Sequence, residues 1–297
     1  MKENFIFTKE RSVKACVIDS WRVFALNWRI YLQCCWIYVL LVGLSGAFLS
    51  EMCLQYAQNQ LLPAWRLHEI GGPDQVVQAF LIPALDTLVY LLLSAAVFVC
   101  SLHVLGGRVG GMVVRYGQTD KLDRAHIALS CEERHMAGRL LRMNLLWCAV
   151  LLVVCTAIGC AAIAWSKWLL LLLLPILLYI WTTCNCARLG YMLLPVKYKE
   201  ALKVSARRSM GLAVILQVIT LLPLVLAACI LLLPTVIYWQ TSLAAADTRL
   251  MGDAASYPAY LTPLYFALST LGFTLLALLG TVRTWSLAMF VSGRQGN

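Results

Sequence analysis

Lys197–Gln217, KYKEALKVSARRSMGLAVILQ, passes from a basic amphipathic stretch straight into an apolar one. In its first half Lys199, Lys203 and Arg207 recur at helical spacing on one face, with Arg208 adjoining, while Tyr198, Ala201, Leu202 and Ser205 form the other. A helix of that pattern lies at a membrane surface, and the apolar residues after it enter the bilayer.

The composition places the whole chain in the same class. Of its 297 residues, 61% are hydrophobic and 13% charged, with a mean hydropathy of +0.78. Soluble domains carry roughly 25% charged residues, so the expected fold is all-α and polytopic, a single integral membrane domain. The formal charge of +10 would point to nucleic acid in a soluble protein. In a membrane protein, however, the position of the charges along the chain decides their meaning, and no nucleic-acid partner is expected.

Six spans account for the apolar runs: about 30–50, 76–105, 144–164, 169–190, 211–239 and 260–282. Residues 1–29 lack a long apolar run, so no cleavable signal peptide is expected. Val13, Val17, Trp21, Phe24 and Trp28 instead follow helical spacing, with Arg11, Lys14 and Arg22 largely off that stripe, as in an interfacial helix. The first span carries Gly43-x-x-x-Ala47 and Gly46-x-x-x-Ser50, small residues that let another helix approach. Glu51–Gln75 reads as an outer loop, and Pro83 breaks the second span near its start.

After Leu105 come GGRVGG (Gly106–Gly111) and a basic stretch to Arg142. Ser130-x-x-Glu133 fits a capping box, which starts a helix near Cys131. Asn144–Ala187 is long enough for two spans, turning at Trp165–Trp168. Pro223 and Pro234 predict a tilted or kinked fifth span, followed by a short loop over 240–259. An interfacial basic helix followed by a two-span hairpin recurs over 9–105, 120–194 and 197–291, although membrane topology alone demands much of that pattern.

Only Arg66, Lys167 and Arg249, of 24 lysines and arginines, fall in the segments after spans one, three and five. The positive-inside rule therefore puts both termini, 106–142 and 195–210 in the cytoplasm, with two or three interfacial amphipathic helices on that side.

The opening Ala15-x-x-x-Asp19-Ser20-Trp21-Arg22-x-Phe24-x-x-Asn27-Trp28-Arg29 resembles the segment preceding membrane spans in a loose group of bacterial six-span proteins. That group includes the membrane domains attached to some glycerophosphodiester phosphodiesterases. The resemblance covers about fifteen residues and the layout. It implies a multi-pass protein of a bacterial cytoplasmic membrane and no activity, since no phosphodiesterase motif is present. A eukaryotic internal membrane is the alternative compartment.

Asp86 is the one carboxylate within a predicted span. Such an acid can couple proton or cation transport, but it lies near the span's outer end, where a structural hydrogen bond or exposure to the interface serves as well. Asp123-x-x-His126 and Glu132-x-x-His135 have the spacing of carboxylate-bridged metal sites, yet fall in a charged segment outside the bilayer, so a solvated face is expected. Arg188, Arg283 and His103 stand near cytoplasmic span ends, where snorkelling or a favourable helix C-terminus explains them. Most of the twelve cysteines sit in apolar runs and read as reduced packing residues, without zinc spacing. No nucleophile, phosphate-loop or metalloprotease pattern stands out, and no cofactor is expected.

The expected function is a non-enzymatic membrane component, lipid-interacting or accessory to a larger assembly. Its partners would be anionic headgroups meeting Lys199, Lys203, Arg207, Arg208, Arg11, Lys14 and Arg22 on the cytoplasmic side, and alternatively a protein partner or a second copy of the chain in a homo-oligomer. The alternatives are a small-solute transporter using Asp86 and, lower, an integral lipid enzyme.

Overall fold

The computed structural model describes residues 11–63, 84–119, 128–164, 170–193, 210–252 and 260–293, with the single positions 65 and 258. Seven α-helices and one π-helical turn make up the described chain: α1 (Val13–Tyr56), the π turn (Ala57–Leu61), α2 (Ala84–Thr119), α3 (Cys131–Ala164), α4 (Leu170–Leu193), α5 (Met210–Leu231), α6 (Leu233–Leu250) and α7 (Leu261–Gly293). No strand occurs among the described residues. Four stretches among them are long and apolar enough to cross a membrane: Val13–Leu61, Asp86–Thr119, Gly211–Leu231 and Leu261–Val291.

Several helices run past their predicted ends. At about 1.5 Å per residue, the 36-residue α2 is about 54 Å long, well beyond a hydrocarbon core of about 30 Å. It absorbs GGRVGG, expected to begin a basic connection, into its interior. The first span likewise continues through Tyr56 and the π turn, so 51–61 is helical where a loop is expected. Leu54 explains the extension, because it is buried beside Tyr238 and Tyr265. In contrast, the predicted fifth span divides at Leu232 (φ −96°, ψ 2°), with Pro234 in the first turn of α6. Proline has no N–H to continue the ladder there, whereas Pro223 is accommodated inside α5. Asp247 and Arg249, expected in a loop, belong to α6, which closes on Gly252 in the left-handed region at φ 93°. The expected break between interfacial helix and first span is a kink inside α1 at Asn27 (φ −114°, ψ 16°). There the Asn27 amide donates to the Val23 carbonyl at 3.0 Å.

The chain divides into two compact units. Unit 1 comprises Met1–Trp36, His103–Leu224 and Leu279–Asn297. Its core includes Tyr31, Cys34 and Cys35 of α1, Val109 and Met112 of α2, Met143 of α3, Leu189 of α4 and Trp285 of α7, all buried. Tyr116 meets Trp285 edge-on at 5.5 Å, Ser20 and Ser286 share a hydrogen bond of 2.6 Å, and α3 packs along α4. Unit 2 comprises Ile37–Leu102 and Val225–Leu278. Here the predicted small-residue face of α1 is the buried one, with Ala47 fully buried and Ser50 nearly so. A Cβ on Gly46 would stand 2.8 Å from the Phe273 ring, and one on Gly43 would stand 2.7 Å from the Thr270 carbonyl of α7. Tyr238 stacks on Tyr265 at 4.1 Å, and Ser50 accepts the Tyr265 hydroxyl at 2.8 Å and the Trp239 indole N–H at 3.2 Å.

Outward faces are as apolar as the cores. On α5, Ile215, Leu222, Leu226 and Ile230 are exposed. Cys100, Cys148 and Cys229, expected as packing residues, lie on such exposed faces, whereas Cys16, Cys34, Cys35, Cys184 and Cys186 are buried. A soluble protein does not expose continuous apolar surface of this extent.

The close approach of α1 to α7 gives a direct test. Gly43→Val should cost about 1–3 kcal/mol through overpacking against the Thr270 backbone, read as a lower thermal midpoint of the purified protein. Gly138→Ala on α3 meets nothing within 4 Å of the new Cβ and should leave the midpoint unchanged or raised.

Candidate functional site

The residues singled out from sequence fall in different places. Lys199, Lys203, Arg207 and Arg208 lie outside the described residues, as do Asp123 and His126. Asp86 is exposed in the first turn of α2, where the positive end of the helix dipole favours a carboxylate. Glu132 and His135 are both exposed at the start of α3. On α1, Lys14 and Arg22 are exposed, and Arg11, two residues before the helix, is partly buried, its Nε donating to Asp19 at 3.2 Å. The predicted stripe of Val13, Val17, Trp21, Phe24 and Trp28 is not the side that packs inward. Cys16, Ser20 and Val23 are buried instead, leaving Trp21 and Trp28 exposed beside the basic residues.

The buried charge of unit 1 centres on Glu133. Ser130 and Glu133 form the predicted capping box: the Glu133 N–H donates to Ser130 Oγ at 3.2 Å, and the Ser130 N–H donates to Glu133 Oε2 at 2.9 Å. The same carboxylate receives Arg108 Nη1 on both oxygens at 3.0 Å and Arg115 Nη2 on Oε1 at 2.7 Å. Arg108 and Glu133 are each 1% exposed, and Arg108 Nε also donates to the Cys34 carbonyl of α1 at 3.1 Å. The glycines of GGRVGG make room for this arrangement. A Cβ on Gly111 would stand 2.5 Å from Glu133 Cγ, and one on Gly107 would stand 2.6 Å from the Glu133 carbonyl. With four hydrogen bonds accepted, the carboxylate is fully satisfied within the chain. Its work is to fix α1, α2 and α3 in one register.

A second arginine centre lies on α7. Arg283 Nη2 donates to Gln217 Oε1 of α5, and its guanidinium sits over the Trp181 ring of α4 with Cζ 4.8 Å from the centroid. Arg283 Nε, Gln217 Nε2 and Arg188 Nε are buried without a hydrogen-bond partner among the described residues. Arg188 is two helical turns from Trp181 on the same face of α4. Neither arginine pairs with a carboxylate among the described residues. A neutral amide and a π face stabilise a cation only in part.

His103, expected at a span end, is buried within α2 and shares a 2.6 Å hydrogen bond with Asn144 of α3. Among the described residues no group of three or more His, Cys, Asp or Glu side chains is placed to hold a metal ion. Sequence reading explained Arg188 and Arg283 by snorkelling. Trp181, Gln217 and Arg283 are too far apart in the chain for any local pattern to join them. Comparison with protein-family models, curated proteins and solved structures finds no match.

Removing one partner of a buried ion pair leaves the other charge uncompensated. Glu133→Gln should therefore destabilise the protein by about 3–5 kcal/mol, measured by thermal unfolding in detergent. Arg115→Gln should cost under about 1 kcal/mol, because that side chain is 39% exposed and its charge is solvent-screened.

Proposed function

We propose that this chain is a six-span protein of a bacterial cytoplasmic membrane, with both termini inside, acting without catalysis as a lipid-interacting or accessory component of a membrane assembly. In this reading the later part of α1, then α2, α3, α4, α5 and α7 are the spans, with α3 and α4 joining the four stretches that meet the length and hydropathy requirement. The early part of α1, before the kink at Asn27, lies at the cytoplasmic interface. The resemblance of 15–29 to segments preceding spans in bacterial six-span proteins supports the compartment.

The orientation is supported by where the charges collect. Among the described residues, Arg249 is the one lysine or arginine in unit 2, which also holds Glu51, Asp86 and Asp247. Unit 1 has Arg11, Lys14, Arg22, Arg29, Arg134 and Arg142 among its bases, against the carboxylates Asp19, Glu132 and Glu133.

The observation that carries the reading is the outward face of α1. Lys14 and Arg22 are exposed, and the indoles of Trp21 and Trp28 are 45% and 48% exposed. Tryptophan beside lysine and arginine suits the headgroup region, where the ring is half buried and the cation meets anionic lipid.

Each such cation contributes about 1 kcal/mol toward an anionic leaflet, roughly a fivefold preference. Extracted gently from an anionic membrane, the native protein should carry acidic lipid enriched over the bulk, as read by native mass spectrometry. Lys14→Gln with Arg22→Gln should reduce that enrichment several-fold without altering the number of spans. Lipid composition equal to the bulk in both proteins would refute the lipid reading, and a stoichiometric protein partner in its place would favour the accessory role.

A further inference from the structure

Arg283 borders a cleft of about 190 Å³ between α1, α5 and α7, entirely within unit 1. Val17 of α1, Ile219 and Leu224 of α5, and Leu279 and Val282 of α7 give it hydrocarbon walls, while Arg283 brings the one charge to its lining. The hydroxyls there are already occupied. Ser286 shares its hydroxyl with Ser20 at 2.6 Å, and Thr220 donates to the Leu216 carbonyl at 2.8 Å.

The two arginine centres of unit 1 thus contrast. Arg108 meets a carboxylate supplied by the chain, while Arg283 meets an amide oxygen and an indole face and keeps a buried Nε–H without an acceptor among the described residues. A desolvated guanidinium without a counter-charge is costly. The group that relieves it is anionic, and the walls beside it require that group to bear a hydrocarbon chain. A cavity of this volume holds on the order of six waters at ~30 Å³ each, or a comparable length of hydrocarbon, and its apolar lining favours the latter.

We propose that this cleft binds one acidic membrane lipid per chain, with the anionic headgroup on Arg283 and an acyl chain along Ile219, Leu224 and Leu279. The site rests on the lipid-interacting reading above and gives it an address and a ligand chemistry. In the proposed orientation Arg283 stands at the cytoplasmic end of the last span, the depth of inner-leaflet headgroups. The guanidinium fork suits a phosphate oxygen pair better than a point charge does.

The test is native mass spectrometry of the full-length protein in detergent, titrated separately with dioleoyl phosphatidylglycerol, dioleoyl phosphatidylcholine and inorganic phosphate. One phosphatidylglycerol should be retained per chain, in preference to phosphatidylcholine, with inorganic phosphate not retained. Arg283→Gln should weaken retention about tenfold or more, the loss of a charge-assisted contact, and Arg283→Lys should keep part of it. Leu279→Trp, which fills the cleft and leaves the guanidinium in place, should also abolish retention. If Arg283→Gln cannot be recovered folded, Leu279→Trp decides, and undiminished retention there overturns the site. Preference for phosphatidylglycerol that survives both substitutions removes this site alone. Equal retention of the two lipids by the native protein removes the acidic-lipid reading as a whole. Inorganic phosphate retained by the native protein and lost in Arg283→Gln would assign the site to a free anion and overturn the lipid.

Discussion

The Arg108–Glu133 ion pair is the constraint on which unit 1 depends. A carboxylate and a guanidinium, both 1% exposed, are stable together only while each keeps its hydrogen bonds. Meeting that condition draws in the N-terminus of α3 through Ser130, the C-terminal half of α2 through Arg108 and Arg115, and α1 through the Cys34 carbonyl. Three helices are tied by groups that tolerate little displacement. Apolar side chains around them can repack at modest cost, but a charge this deeply buried cannot lose its partner cheaply.

Unit 2 is held differently. Its described contacts are small residues against backbone and rings, such as Gly43 and Gly46 of α1 facing α7 and Gly272 facing the Leu231 carbonyl, together with hydroxyl bonds such as Thr235 to Ser269 at 2.8 Å. Where the surroundings are as apolar as the helix, burying leucine gains little, so close packing and hydrogen bonds between helices carry the association. The exposed leucines and isoleucines of α5 fit the same balance, because a side that met lipid would have no reason to be polar.

The electrostatics of unit 1 combine two solutions to one problem. Glu133 neutralises Arg108 from within the chain, while Arg283 is held by Trp181 and Gln217 with its charge uncompensated by any described carboxylate. A structural arginine is fully partnered. One that is half-partnered at the edge of an apolar cleft is suited to recognising an anion, and that difference separates scaffold from candidate site.

The sequence by itself determined the class of the protein, because hydropathy and helical period are local properties summed over windows of a turn or a span. It located the helix start at Cys131, since a capping box closes within four residues, and it identified the Gly43–Ser50 packing face from the spacing of small side chains. It misjudged where helices end. GGRVGG reads as a connection because glycine is poor in a helix, yet α2 runs through it, since only glycine admits α3 so close. Only the tertiary structure decided that Glu133 meets Arg108 twenty-five residues away, that the inward side of α1 carries Cys16, Ser20 and Val23, and that Trp181, Gln217 and Arg283 converge. Each joins helices distant in sequence, and the choice among many arginines, amides and rings is made by which helix faces pack together, a property no window of the chain contains.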